Sequence, residues 1–288
     1  MKTIGVIANF NKNRAVALLD KVFKCANEIG FDVWVECSDK ASDMSSQCCE
    51  VEQFIDQGAE AVVVLGGDGT MLDTAHKLGA NKLPMMGLNI GSLGYLTSVE
   101  DHQYAEALHH LYDGSFNVSH RTALSLKIVQ ESGEVKMLPD ALNDAVISRG
   151  ATGHAVKLEL VLDGMSVSRF LCDGIIVATP TGSTAYSLSA GGPIVMPDTP
   201  AFVVSFICPH SLTSRPLVLR DKTDIVIRVI ECSSPMLASS DGRCNLLIEQ
   251  GDSFVICRSE ITVPVVELHG YNPYEVLRHK LSWGRRGA

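Results

Sequence analysis

The stretch Val62-Val63-Val64-Leu65-Gly66-Gly67-Asp68-Gly69-Thr70 decides how this chain is read. Its first four residues are β-branched or apolar and form a short buried-strand pattern. It runs straight into three glycines that enclose one aspartate, and a helical pattern follows. A strand-to-helix turn of this kind leaves backbone N–H groups unpaired. Glycine has no Cβ, so a phosphate chain can approach closely. An aspartate inside an anion-binding turn is electrostatically unfavourable unless it serves chemistry, as a base or through a metal ion. The alternative is a tight turn in which Asp68 only caps the helix.

Working outward, residues 3–9 read as a buried strand. Ala15, Leu18, Leu19, Val22, Phe23, Ala26 and Ile29 then recur at helical spacing, and Gly30 supplies the stop. A second strand is expected over 31–36, a polar loop over 39–50, and a helix over 51–57. The third strand, 61–65, delivers the glycine turn; a helix over 70–78 and a strand over 83–88 follow. Strand and helix alternate, which predicts a parallel sheet covered by helices. Ligands of such sheets sit beyond the carboxyl ends of the strands. Asn89-Ile90-Gly91-Ser92-Leu93-Gly94 occupies that end of the next strand, either as a second wall of the crevice or as an ordinary strand exit. Neither glycine loop matches G-x-G-x-x-G or the P-loop G-x-x-x-x-G-K-[ST].

A helix over 100–114 closes this first part. From Arg121 the period changes to two: Leu124, Leu126 and Ile128 alternate with polar partners, as do Val156, Leu158, Leu160 and Leu162. Asp163-Gly164 is a hairpin signal. Further short strand-like runs predict a β-sandwich. The expected organisation is an α/β domain over 1–118 and an all-β sandwich over 119–268. The tail 269–288 carries a helical piece and four Lys and Arg residues, and whether it packs back on the first domain is left open.

Composition narrows the classes. With 46% hydrophobic and 20% charged residues in 288, the chain reads as a soluble globular protein with ample core. No apolar run approaches the ~20 residues of a membrane helix. The N-terminus begins directly in a strand pattern without signal character, so a cytoplasmic location is expected. Nine cysteines include no C-x-x-C pair, and adjacent Cys48-Cys49 is poor geometry for a disulfide or a tetrahedral metal site. Reduced thiols are expected. A formal net charge of −9 argues against nucleic-acid binding. Anionic ligands remain possible if turns, helix N-termini or a divalent cation hold them.

Two segments in the β half carry chemistry beyond strand formation. In Leu142-Asn143-Asp144-Ala145-Val146, the Asn-Asp pair has acceptors and an amide donor for both hydroxyls of a ribose, or else makes an Asx turn. In the segment from Asp173 to Pro193, a strand exits into hydroxyl-rich turns and a short helical stretch. Thr181, Ser183 and Thr184 either cap that helix or bind ribose, phosphate or base edges, with Tyr186 offering a stacking face.

The glycine turn, Asn143-Asp144 and the segment from Asp173 through Thr181-Gly182-Ser183-Thr184-Ala185-Tyr186, in that order, resemble the signature set of the ATP–NAD kinase family in its bacterial form. The similarity extends over nearly the whole chain, including the Lys-Leu-Ser-Trp-Gly run that begins at Lys280. The resemblance implies phosphoryl transfer from ATP to the 2′-hydroxyl of the adenosine ribose of NAD, giving NADP and ADP. It implies a Rossmann-like N-terminal domain, a C-terminal β-sandwich, NAD held between them, and a homodimer or homotetramer. Carried over by position, Asp68 is the general base, and Gly66, Gly67, Gly69 and Thr70 line the phosphates. Asn143 and Asp144 hold NAD near the reacting ribose. Asp173, Thr181, Thr184, Ala185, Tyr186, Ser187, Leu188 and Ser189 contact the adenine and nicotinamide moieties, some of them across a subunit interface, and His154 stands where relatives place a basic NAD contact. Leu171 stands where an arginine can occur, and Arg243 where glutamine is common; both bear on NAD against NADH.

The chain has no P-loop lysine, so Mg²⁺ carried by the nucleotide is expected to screen the triphosphate. Lipid kinases share the glycine turn, but the hydroxyl-rich segment suits a polar nucleotide. A non-catalytic nucleotide sensor would do better with a neutral residue at position 68.

Overall fold

The computed structural model describes residues 2–37, 47–79, 83–91, 94–97, 99–150 and 154–283. Most of the polar stretch 39–50, Ser92 and Leu93 of the second glycine loop, and Arg285 and Arg286 of the tail lie outside the described residues. The chain divides into two compact units, Met1–His120 with Val263–Ala288, and Arg121–Thr262.

In the first unit, Cys48–Cys49, Asp32–Glu36, Thr3–Ala8, Ala59–Gly66 and Met85–Asn89 lie side by side in that order, every neighbour parallel. Val99–Glu100 and Val265 both pair with the last of these strands, also parallel. A parallel sheet is covered on both faces, which explains why the Val62–Leu65 run is apolar without alternation. All four of those residues are fully buried. Val63 and Leu65 pack with Leu18, Leu19 and Val22 of the helix Asn13–Ile29, and with Leu108 of the helix Tyr104–Asp113. Gly30 ends the first helix at φ 107°, donating its N–H to the carbonyls of Ala26 and Asn27.

From the central strand Thr3–Ala8 the chain builds outward on one side, then returns to the other side with Ala59–Gly66. The strand order therefore reverses between these two, and the crevice of such a sheet opens at the carboxyl ends where it does so. Gly66 stands at that position. Two sequence expectations are corrected here. The helix after the turn begins at Asp68, not Thr70. The helix expected over 51–57 is one 3-10 turn, Val51–Gln53, closed by a capping box between Glu50 and Gln53.

In the second unit, six antiparallel strands run in the order Leu217–Arg220, Ala201–Ile207, Gly174–Ala178, Asp144–Ser148, Met236–Ser240 and Cys244–Ile248. A second sheet contains Met165–Cys172, Val156–Leu162, Ile225–Glu231 and the first part of Ser253–Leu268, again antiparallel. The hairpin at Asp163-Gly164 forms with both residues at positive φ, 49° and 79°, as a two-residue turn of the primed type requires. One core joins the two sheets, with Ile147, Ile175, Val177 and Phe202 from the first and Leu158, Leu160, Ile227 and Phe254 from the second. The opposite face of the six-stranded sheet is also covered, because Val146, Ile176, Ala178 and Val203 cluster with Val195. The segment after Ala178 thus folds back over its own sheet. Among the described residues no helix is long and apolar enough to cross a membrane.

Gly5 tests the packing of the first unit, since a Cβ there would lie 2.4 Å from Cδ2 of fully buried Phe54. Gly5→Ala is expected to lower the unfolding free energy by ~1–3 kcal/mol through overpacking. Urea denaturation followed by circular dichroism measures this, and an unchanged midpoint would contradict the packing described.

Candidate functional site

Asp68 opens the helix Asp68–Leu78 but does not cap it; no side chain does. Its carboxylate points instead to the next strand exit, where Oδ2 accepts the N–H of Tyr95 at 2.9 Å and Oδ1 the N–H of Leu96 at 2.9 Å. A carboxylate holding two adjacent amides is fixed in its plane, and the loop is fixed with it. Lys280 Nζ lies 3.6 Å from Oδ2.

Glycine is needed twice in this arrangement. A Cβ on Gly94 would sit 2.0 Å from Asp68 Oδ1, and one on Gly66 would sit 2.2 Å from Thr70 Oγ1. At Gly67 the reason differs, since a Cβ there would meet nothing within 4 Å. The space beside Gly67 is open to a ligand. Gly69 lies in the first helical turn, and Thr70 is buried with its hydroxyl 3.4 Å from Asn9 Nδ2. Tertiary structure thus brings Gly66, Gly67, Asp68 and Thr70 together with Gly94, at the carboxyl end of a parallel strand.

The second unit has its own cluster, organised by Asp241. This residue adopts φ 49° in the tight turn after Met236–Ser240. Its carboxylate accepts the N–H groups of Leu142, Asn143 and Asp144 at 2.9, 2.8 and 3.0 Å. Asn143 and Asp144 are therefore set in place by their main chain, not by an Asx turn of their own. The hydroxyl-rich segment docks on the same point: Thr179 donates its N–H to Asn143 O and its hydroxyl to Leu142 O. A Cβ on Gly182 would lie 1.9 Å from Asn143 O, so this approach requires glycine.

The hydroxyls of this segment are largely spent inside the protein. Ser183 bonds Pro180 O and Val195, while Ser187 bonds Ser205 at 2.9 Å; both serines are fully buried. Thr181 and Thr184 are buried, and the Thr184 hydroxyl donates to Thr181 O. The Ser187 hydroxyl is committed to the scaffold. Ala185 and Leu188 are half-buried, and Ser189 and Tyr186 are exposed. The Tyr186 N–H is a donor to the Asp144 carboxyl.

Burial, and secondly the negative charge of Asp241, push the Asp144 carboxyl up to about 7 against the lowering effect of the Tyr186 N–H. Asp144 is thus a group that exchanges a proton near neutral pH.

Asp173 stands apart from this cluster. Asp144 pairs with Ala178, whereas Asp173 precedes Gly174 at the other end of the strand. Five residues at ~3.4 Å each separate Asp173 from Ala178, roughly 17 Å. There it makes an ion pair with Arg149 at 3.3 Å. His154 is exposed. Reading 173–193 as one motif hid this separation. Sequence reasoning also missed Asp241 as the organiser, Arg149 as a partner and the amides of Tyr95 and Leu96. Asp241-Gly242 was a visible turn signal; the amides had none, because any residue supplies one.

Residues 4–116 match the domain family described as the ATP-NAD kinase N-terminal domain, and residues 142–268 match the ATP-NAD kinase C-terminal domain. The chain is 35% identical to the NAD kinase of Geotalea daltonii, over 99% of this chain and 100% of that one. It is 39% identical to that of Geobacter metallireducens over 79% of this chain and 80% of that one. Among solved structures, yeast NADH kinase complexed with NADH superposes with a TM-score of 0.86 at 25% identity, covering 99% of this chain and 88% of that one. An NAD kinase from Archaeoglobus fulgidus in complex with ATP shares the fold, with a TM-score of 0.75 at 22% identity over 98% of each chain.

The Asp144 carboxyl gives a pH test. Its folded-state affinity for a proton exceeds the unfolded one, so it stabilises the fold below the ordinary carboxylate range. That contribution is lost as pH rises through about 7. Asp144→Asn is expected to become progressively more stable relative to wild type from about pH 4 to about pH 7, and to level off above that, in urea titrations. Parallel stability curves for the two proteins would contradict the assignment.

Proposed function

The chain belongs to the NAD kinase family, and from that premise we propose how its own residues divide the work of phosphorylating NAD. It is an enzyme, a phosphotransferase that uses ATP to convert NAD to NADP. The observation that carries the proposal is the fixed Asp68 carboxylate beside the open space at Gly67.

A ribose hydroxyl is a weak nucleophile near neutral pH. Asp68 acts by accepting its proton as the new oxygen–phosphorus bond forms and by orienting the oxygen in line. The bond from the γ-phosphorus to the bridging oxygen breaks, and ADP leaves. Little covalent chemistry is left to the protein, so positioning and electrostatics supply most of the acceleration. Gly66, Gly67, Gly69 and Thr70 form the turn along which the phosphates lie. A divalent cation, Mg²⁺, arrives as part of the nucleotide substrate and screens its charge.

Asn143 and Asp144 hold the acceptor ribose, with Tyr186 stacking on a ring and Ala185, Leu188 and Ser189 lining the same face. Thr181, Thr184 and Ser187 act from beneath by holding this segment in shape. Asp173 serves a different part of NAD, or the NAD of another copy, because a strand length separates it from the Ala178 end, and His154 goes with it because Val156 pairs with Cys172. A homodimer or homotetramer fits that division. It also fits the edge strand Met165–Cys172, whose Met165, Val167 and Leu171 are all exposed. The proposed location is the cytoplasm.

Purified protein with ATP, Mg²⁺ and NAD is expected to form NADP in a coupled dehydrogenase assay. Asp68→Asn should cut turnover by ~10²–10⁴ while calorimetry shows NAD affinity changed by no more than severalfold. Near-normal turnover in that variant would sink the base assignment.

A further inference from the structure

The glycine turn has an electrostatic conflict built into it. A triphosphate entering beside Gly67 approaches the negative charge of Asp68, and no lysine follows the turn as it does in a P-loop. The helix Pro273–Lys280 supplies a cation at this point from the far end of the chain.

That helix is built to deliver its last residue. Asn272 caps it by accepting the N–H of Tyr274 at 3.0 Å, and Pro273 occupies the first turn, where a missing N–H costs nothing. Val276 and Leu277 are buried and anchor it to the first unit. Lys280 stands at the C-terminal end, where the helix dipole favours positive charge. Its Nζ lies 3.6 Å from Asp68 Oδ2 and 5.7 Å from the centroid of the Tyr95 ring. Tyr95 is itself buried and donates its N–H to the same carboxylate. One residue thus positions both the acid and the cation. The side chains of Lys280 and Asp68 are each partly open, at 28% and 29% exposure, so an incoming ligand can reach both.

We propose that Lys280 is the phosphate-facing cation of the reaction. Paired with Asp68, it cancels the charge that would repel the triphosphate. An ammonium has three donors, so it can bond a γ-phosphoryl oxygen while keeping its contact with the carboxylate. As the phosphoryl group passes to the ribose, the same contact stabilises the charge on its oxygens. This inference rests on the glycine turn being the site of the ATP phosphates.

Three variants test it by steady-state kinetics with ATP and NAD varied separately. Lys280→Met is expected to raise KM for ATP and to lower kcat, each by about tenfold, the order expected for losing one charge-assisted hydrogen bond. KM for NAD should stay within about twofold. Lys280→Arg should recover most of the loss, and Arg278→Met, on the same helix, should behave as wild type. Unchanged ATP kinetics in Lys280→Met would overturn the proposal. So would a loss that arginine does not restore, or one that raises KM for NAD equally, because these indicate a merely structural helix end. Calorimetry of ATP binding to wild type and Lys280→Met separates the two levels of the reading. If wild type binds ATP but forms no NADP, the acceptor assignment fails, while a weaker isotherm for the variant still supports the lysine.

Discussion

The carboxylate of Asp68, held by the amides of Tyr95 and Leu96, is the constraint on which the first unit's site depends. It joins the exits of two adjacent parallel strands, Ala59–Gly66 and Met85–Asn89, the first of which borders the point where strand order reverses. A base must be held in the right orientation before its proton affinity matters. Here the orienting groups are main-chain amides, which have no rotamers to lose. The second unit repeats the device with Asp241, whose carboxylate gathers the amides of Leu142, Asn143 and Asp144. In both places an acidic side chain is used to shape backbone.

Close approach is the second theme. Gly66, Gly94 and Gly182 each stand where a Cβ would meet another atom at 2.2 Å or less. Gly67 is the exception, with open space where its side chain would be. That contrast separates glycines the fold needs from one whose vacancy suits a ligand. The buried hydroxyls make a similar division. Ser183 and Ser187 stitch the 179–193 segment onto the six-stranded sheet. The ring of Tyr186 stays exposed, while its N–H reaches the buried carboxyl of Asp144.

Much of the fold was legible because it depends on local periodicity. The apolar run at 62–65 implied a strand covered on both faces, and the alternation after Arg121 implied a sandwich. The Asp163-Gly164 hairpin depends on two residues tolerating positive φ, a property of residue type. The misreadings have physical causes as well. Val51, Phe54 and Ile55 do fall at helical spacing, but the stretch ends at Gly58, φ 79°, with only one 3-10 turn formed. The 173–193 segment looked continuous in sequence, but a strand advances its ends by more than 3 Å per residue, so Asp173 and Tyr186 stand at opposite ends of the strand Gly174–Ala178.

By itself, the sequence determined which residues can do chemistry. An aspartate between glycines, an Asn-Asp pair and a hydroxyl-rich turn are choices of functional group, and functional groups are visible in a string of letters. Tertiary structure alone decided what orients them. The amides of Tyr95 and Leu96 could belong to any residue, and their role follows only from where two strands end. Lys280 lies more than two hundred positions from Asp68, and its ammonium reaches that carboxylate only because buried Val276 and Leu277 seat its helix on the first unit. Charge type is written in the sequence, but the distances at which charges act are set by packing.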